Sequence, residues 1–378
     1  MTLPLDTFRD KLETLDTETI KKRLSVSHFS VNAIIRGAQL TFVGAHRALQ
    51  NPNLFTSEHY KQAVIAVIVG IVIKILVELP IIFVRISIWA ISLFWDLESV
   101  TWDNTLLDGL GFVSEYVLQV PLFLMTLMRY VVPTLDNLFM QSLQWVDQTY
   151  LQKHKLDDQN ALRALYYPNL SMYSKSRHQQ GSASASQPSM GSFLSRFGKR
   201  ATTSIVIYGL SFIPILGRLV LPAAGFWTFK KAAGYGPAIL VFAVSLVVPK
   251  RYLIITLQTY FSSRSLMHEL LVPYLSRVGF TTKEKKHWFR SREGVLLGFG
   301  LGYYFLTKIP LVGVLIYGVA EASTAYLVTK ISDPPPPPEM AAAFAASQQV
   351  WHNEHQFLSL PLSKLDSLQS RRLVEILK

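Results

Sequence analysis

Residues 63–95 read AVIAVIVGIVIKILVELPIIFVRISIWAISLFW. Most of these thirty-three residues are Val, Ile, Leu, Phe or Trp, and the charges among them are Lys74, Glu78 and Arg85. A run this long and this apolar has the length of a bilayer segment. At about 100° per residue, Glu78 lies about 40° and Arg85 about 20° from Lys74, so the three charges share one helix face. Pro80 falls on the opposite side. Charges at membrane depth are tolerated against protein or water, so this stripe is either functional or a salt-bridged helix contact. The expected class is an all-α, polytopic membrane protein with long transmembrane helices and Pro/Gly-broken re-entrant hairpins.

The bulk composition agrees. The chain has 378 residues, of which 50% are hydrophobic, and its mean hydropathy is +0.27. That is too apolar for an ordinary soluble protein and too long for one simple domain. The absence of cysteine excludes disulfide frameworks, thiol catalysis and Cys-ligated metal sites. The net charge is +12, carried by basic residues that flank the apolar runs. This suits an anionic cytosolic leaflet, and no aromatic-interleaved basic module points to nucleic acid. Met1 to Asp10 lacks the basic region and apolar core of a signal peptide, so the first apolar run is expected to act as an internal targeting signal.

Residues 1–60 are expected to form cytosolic amphipathic helices. One leads from Thr17-Glu18-Thr19 into Lys21-Lys22-Arg23, and a second runs from Val31 to Leu49 and ends before the breaker Asn51-Pro52-Asn53. Residues 61–133 form a first transmembrane pair. Its second run, 109–132, brings Glu115, Gln119 and Arg129 to one face and carries Pro121 as a kink. Antiparallel packing would set that face against Lys74, Glu78 and Arg85. The loop between, 96–108, holds Asp96, Glu98, Asp103 and Asp108 without Lys or Arg. Residues 134–200 form a cytosolic insertion. It has an amphipathic stretch, Leu138 to Leu165, and then a Ser-rich segment around 181–191 that reads as a disordered linker with candidate phosphorylation sites.

Residues 201–332 hold two hairpins and a basic arm. The stretch Lys250 to Glu293 has nine Lys or Arg against three Glu, which predicts a cytosolic position. Runs 294–307 and 309–329 are separated by Lys308 and Pro310. Fourteen residues are short for a crossing, so a re-entrant hairpin competes with two spans. Gly294, Gly298 and Gly302 form a small-residue stripe that lets another helix approach closely. Ile213-Pro214-Ile215-Leu216-Gly217 recurs as Ile309-Pro310-Leu311-Val312-Gly313. Such breaks free backbone groups, which survive at membrane depth where protein or a water-lined cavity satisfies them. The repeat therefore reads as kinked anchors or as the broken helices of a transport site. Arg218 could hold an anion or snorkel. Glu321, with Ser323 and Thr324 nearby, could bind a cation or proton, or make a helix-packing hydrogen bond.

Pro334 to Pro338 reads as a stiff spacer, and residues 339–378 as a soluble helical tail with Leu362, Leu365, Leu368 and Leu373 on its apolar face. His352 and His355 are three apart, but nothing completes a metal site, so they read as solvated. No Ser–His–Asp, P-loop or paired-carboxylate signature has supporting context. The chain is read as a non-enzyme without a cofactor.

The run Arg36-Gly37-Ala38-Gln39-Leu40, Gly44, Arg47-Ala48-Leu49-Gln50-Asn51-Pro52 and Leu54-Phe55 resembles the segment before the first membrane helix in a known superfamily. That superfamily joins CysZ-type sulfate permeases with the etoposide-induced proteins of eukaryotes. The paired Ile-Pro-x-x-Gly turns are similar to its hairpin turns. With Phe55-Thr56-Ser57-Glu58-His59-Tyr60 and the Pro-rich exit, residues 30–332 more closely resemble fungal transmembrane proteins of the UsgS type. Those are similar in turn to fungal outer-spore-wall and lipid-droplet proteins. The resemblance implies an all-α membrane fold with half-penetrating hairpins. The expectation is a structural or organising protein of the fungal endoplasmic reticulum or lipid droplets, linked to sporulation or spore-wall formation. The alternative is a channel or permease for a small anion, of the sulfate type. The expected partners are a bilayer or lipid-droplet monolayer and anionic lipid headgroups, with a homo-oligomer left open and no nucleic acid.

Overall fold

A computed structural model of the protein describes residues 30–55, 135–157, 162–179, 248–309 and 313–367, with isolated positions between 64 and 86 and between 195 and 244. Among these residues every regular element is helical. No helix among them is long and apolar enough to cross a membrane.

Helix α1 runs Val31–Leu49, the span the sequence predicts. Ser30 caps it by accepting a hydrogen bond from the Ala33 amide at 3.1 Å. Beyond its end the Asn51 side chain accepts from the Asn53 amide at 3.0 Å, and a short 3-10 turn follows at Pro52–Phe55. Side-chain capture of orphaned backbone groups of this kind sets helix limits locally. Ala33, Gly37, Leu40, Thr41, Gly44 and Ala48 form its buried face.

Within the 134–200 region lie α2, Leu135–Lys153, and α3, Tyr167–Gln179. The basic arm is three helices instead of one long amphipathic element: α4, Lys250–Leu270, α5, Val272–Val278, and α6, Thr282–Ser291. Two local breaks explain the division. Pro273 has no amide to continue α4, and Gly279 takes φ 81° to close α5. Helix α6 restarts with a capping box between Thr281 and Glu284.

Helices α7, Glu293–Thr307, and α8, Gly313–Ile331, match runs 294–307 and 309–329 closely. They pack against each other across a short turn. The Tyr303 hydroxyl donates to Ser323 Oγ at 2.5 Å across the pair. At the turn, Gly313 lies so close to Thr307 that an added Cβ would sit 2.2 Å from its carbonyl oxygen.

The core is built on α7. One side packs on α1, the other on α4, while α8 packs on α1 and α2. The small-residue stripe meets α1 directly. A Cβ on Gly298 would lie 1.9 Å from the Ile34 carbonyl oxygen, and one on Gly37 would lie 2.1 Å from that of Val295. Gly302 faces the Thr41 side chain, whose hydroxyl donates to the Phe299 carbonyl at 3.2 Å. The two backbones touch because neither glycine has a side chain there. Residues 293–300 of α7 and 320–331 of α8 are consequently buried in protein.

The tail is two short helices, α9, Ala341–Ser347, and α10, Glu354–Ser359, followed by a 3-10 turn, Leu362–Ser367. Phe344, Phe357 and Leu365 bury fully in the main core. The proline segment is a docked strap. Asn169 donates to the Pro335 carbonyl at 2.7 Å, and the Tyr173 hydroxyl donates to that of Pro336 at 2.8 Å.

Replacing Gly298 with Ala should lower stability by about 2 kcal/mol, since the added methyl forces the touching backbones apart. Gly318→Ala meets nothing nearer than a Leu138 methyl at 3.9 Å. It should be neutral or stabilising by up to about 1 kcal/mol through helix propensity. Chemical unfolding in mild detergent compares them, and equal effects would refute the close crossing.

Candidate functional site

Of the residues the sequence singles out, Lys74, Glu78, Arg85, Glu115, Gln119, Arg129, Pro214, Gly217, Arg218 and Pro310 lie outside the described residues. Gly313 marks the α7–α8 turn, as above. Glu321 is fully buried in α8. Its neighbours serve helix packing: Ser323 accepts from Tyr303, and the Thr324 hydroxyl donates to the Ala320 carbonyl at 2.7 Å. His352 and His355 are exposed.

Two apolar surfaces stand out. Val64, Ile68, Ile71, Val72, Ile75, Leu79, Ile82, Phe83 and Ile86 are all helical and exposed. The second surface is the α7–α8 turn, where Phe305, Ile309 and Leu315 are exposed. These residues flank Lys308, whose ammonium lies 5.0 Å from the Tyr304 ring, while the base of the hairpin is covered by protein.

Two buried polar centres close that base. Arg292, at the α6–α7 junction, is buried. Its Nε donates to the Ile331 carbonyl at 2.6 Å. Its Nη1 donates to Ser291 Oγ at 2.7 Å and to the Gln348 carbonyl at 3.0 Å. The indole of Trp288 lies 4.6 Å from the guanidinium carbon. One side chain therefore joins the start of α7, the end of α8 and the tail. Burial pulls its pKa down to about 9, which leaves it cationic at neutral pH.

The second centre gathers around Asp366. Lys330 Nζ donates to Oδ1 at 2.8 Å, Lys153 Nζ donates to Oδ2 at 2.6 Å, and Arg47 Nη2 lies 3.6 Å from Oδ2. The Tyr326 ring backs Lys330 at 5.1 Å and Arg47 at 5.9 Å. Beside them Arg163 pairs with Asp147 at 2.9 Å. Asp147 Oδ2 in turn accepts from the amides of Tyr166 and Tyr167 at 2.8 Å each, a cap on α3 supplied from α2. Burial raises Asp147 in spite of Arg163. It also lowers Lys330 to about 8, with Asp366 opposing the shift. Burial pushes Asp366 up as well, but Lys330 and Lys153 outweigh it and hold the carboxyl well below its usual range.

Neither centre has a local sequence signature. The partners that tie Arg292 to α8 and the tail are 39 and 56 residues away, and Asp366 reaches Lys153 across 213. The residues behind the family resemblance, by contrast, have visible packing roles. Gly37 and Gly44 admit close neighbours, and Arg47 reaches Asp366. Arg36 donates to the tail carbonyls of Leu358, at 3.2 Å, and Leu360.

Comparison with family models, curated proteins and solved structures finds no match to this chain.

Asp366→Asn should lower stability by about 2 kcal/mol at neutral pH, below the range for a fully buried pair because one edge faces solvent. The sign follows from the depressed carboxyl. Its contribution is complete above the unfolded carboxylate range and is lost as pH falls through the folded value. Unfolding measured from about pH 7 to about pH 2 should show the gap between variant and wild type begin to close below about pH 4 and keep narrowing toward the acid end. A difference independent of pH would contradict the ion cluster.

Proposed function

We propose that the chain is a multi-pass integral membrane protein with a structural, organising role in the endoplasmic reticulum or on lipid droplets. The observation that carries this reading is the exposure of the nine apolar residues described between 64 and 86, inside the apolar run 63–95. Large exposed apolar patches mark membrane or partner surfaces. The α7–α8 hairpin supports the same reading. Its tip exposes Phe305, Ile309 and Leu315, while its base is covered by α1, α2, α4 and the tail. A hairpin anchored in this way enters the membrane from one side, and the protein around its base stays on that side.

The resemblance to UsgS-type proteins supplies the fungal setting and the link to sporulation or spore-wall formation. An organising role fits a molecule whose described polar centres tie helices together and whose membrane-facing parts are apolar. The alternative, a permease for a small anion, requires the acidic 96–108 loop to reach the far side of the membrane. A lipid-droplet monolayer forbids that, because a polar loop cannot emerge into oil.

A single cysteine at Asp103 tests the reading in a chain that has no other. In sealed microsomes an impermeant maleimide should label Asp103→Cys without detergent. Labelling that appears only after detergent would put the loop in the lumen and favour the permease.

A further inference from the structure

Around Asp366 the positive charge of the described residues exceeds their negative charge. Arg47 comes from α1, Lys153 from the end of α2, and Lys330 from the end of α8. All three converge on one carboxylate. The nearby Arg163 already has Asp147, so two positive charges remain in excess at the cluster. These side chains line a shallow recess that opens to solvent and that Asp366 itself fills in part. The tyrosine rings under Lys330, Arg47 and Arg163 hold the cations in place. The carboxylate serves the cluster unevenly. Lys330 and Lys153 are at hydrogen-bond distance, while Arg47 shares an oxygen with Lys153 at 3.6 Å.

We propose that this recess is a binding site for a phosphate monoester, and that Asp366 is an internal occupant which such a ligand displaces. A monoester carries close to two negative charges and three acceptor oxygens, one for each cation. It would cancel more of the excess and give Arg47 an oxygen of its own, where a guanidinium binds phosphate well. Asp366 sits on the last described turn of the tail, next to the buried Leu365. Exchange of the two anions therefore moves that turn and couples ligand binding to the seating of the tail. The phosphate could belong to a lipid headgroup or to a soluble ester, since the chemistry is shared. The inference stands apart from the membrane reading, because the recess is formed by the described helices and tail alone.

The test uses the full chain in nanodiscs of phosphatidylcholine, titrated with inorganic phosphate and with inositol trisphosphate, and then in discs containing a phosphoinositide. Wild type should bind saturably. Asp366→Asn removes the competing charge and should bind at least about tenfold tighter. Lys153→Ala, at a side chain 50% exposed, should bind at least about fivefold weaker. A cysteine at Ser367 should react faster with maleimide when the ligand is present. A response to the soluble esters assigns the ligand to solution, and a response only to phosphoinositide discs assigns it to the headgroup. No saturable response to either source, unchanged affinity in Lys153→Ala, or weaker binding in a folded Asp366→Asn would each overturn the proposal. Should Asp366→Asn fail to fold, the comparison of wild type with Lys153→Ala decides.

Discussion

The α1–α7 crossing sets the spacing of everything around it. At Gly37 and Gly298 the helices meet backbone to backbone, with no room for a methyl group on either side. Helices this close bring Thr41 within reach of the Phe299 carbonyl, and Gly44 against Ser323 of α8. Helix α1 thereby braces both arms of the hairpin at once. A larger residue at either glycine would push α1 away from α8 as well as α7. The arms would then lose their cover at the depth where α7 and α8 are buried all round. Close packing of this kind needs no hydrophobic driving force and works in lipid as well as in water.

The crossing holds the hairpin, and buried charge closes its base. Arg292 and Lys330 are both taken out of water, and each is held by groups from the tail as well as from the helices. Leaving either charge without its partners would cost several kcal/mol, so the tail docks in one register. The apolar anchors Phe344, Phe357 and Leu365 supply area for that docking, while the charges specify its position. The proline strap contributes in the same way. A polyproline segment makes no internal hydrogen bonds, so its carbonyls are available to Asn169 and Tyr173. The stiffness read from the sequence remains, but it serves a docked strap and not a free spacer.

Much of the helical layout was legible in the sequence. The end of α1 follows from the Asn51-Pro52 break, and the division between α7 and α8 from the Lys308–Pro310 interruption. The small-residue stripe announced a close helix contact, but not its partner. Gly37 lies more than 250 residues earlier, and no local pattern encodes a pairing over that distance. The same reason hides Arg292, Asp147 and Asp366, whose meaning comes from residues brought near by folding. The arm at 250–293 stands out in the sequence by its count of Lys and Arg. Pro273 and Gly279 divide it through backbone geometry, which charge counting does not sense. The polar stripe of the first two apolar runs lies outside the described residues, and of the hairpin candidates Glu321 and Gly313 fall among them. There Ser323 joins α8 to Tyr303 of α7, and the Thr324 hydroxyl bonds back within α8 to Ala320.

In the proposed function the tip of the α7–α8 hairpin meets lipid while its base and the tail meet water or protein. Phe305 at the tip and Val350 in the tail test it directly, since they are almost equally exposed, at 59% and 57%. A spin label at each position in turn, with the protein in bilayers, would be challenged with oxygen, which concentrates in lipid, and with a water-soluble nickel chelate. The account predicts that the label at 305 relaxes with oxygen and is shielded from nickel, while the label at 350 does the reverse. Equal access of nickel to both positions would contradict it.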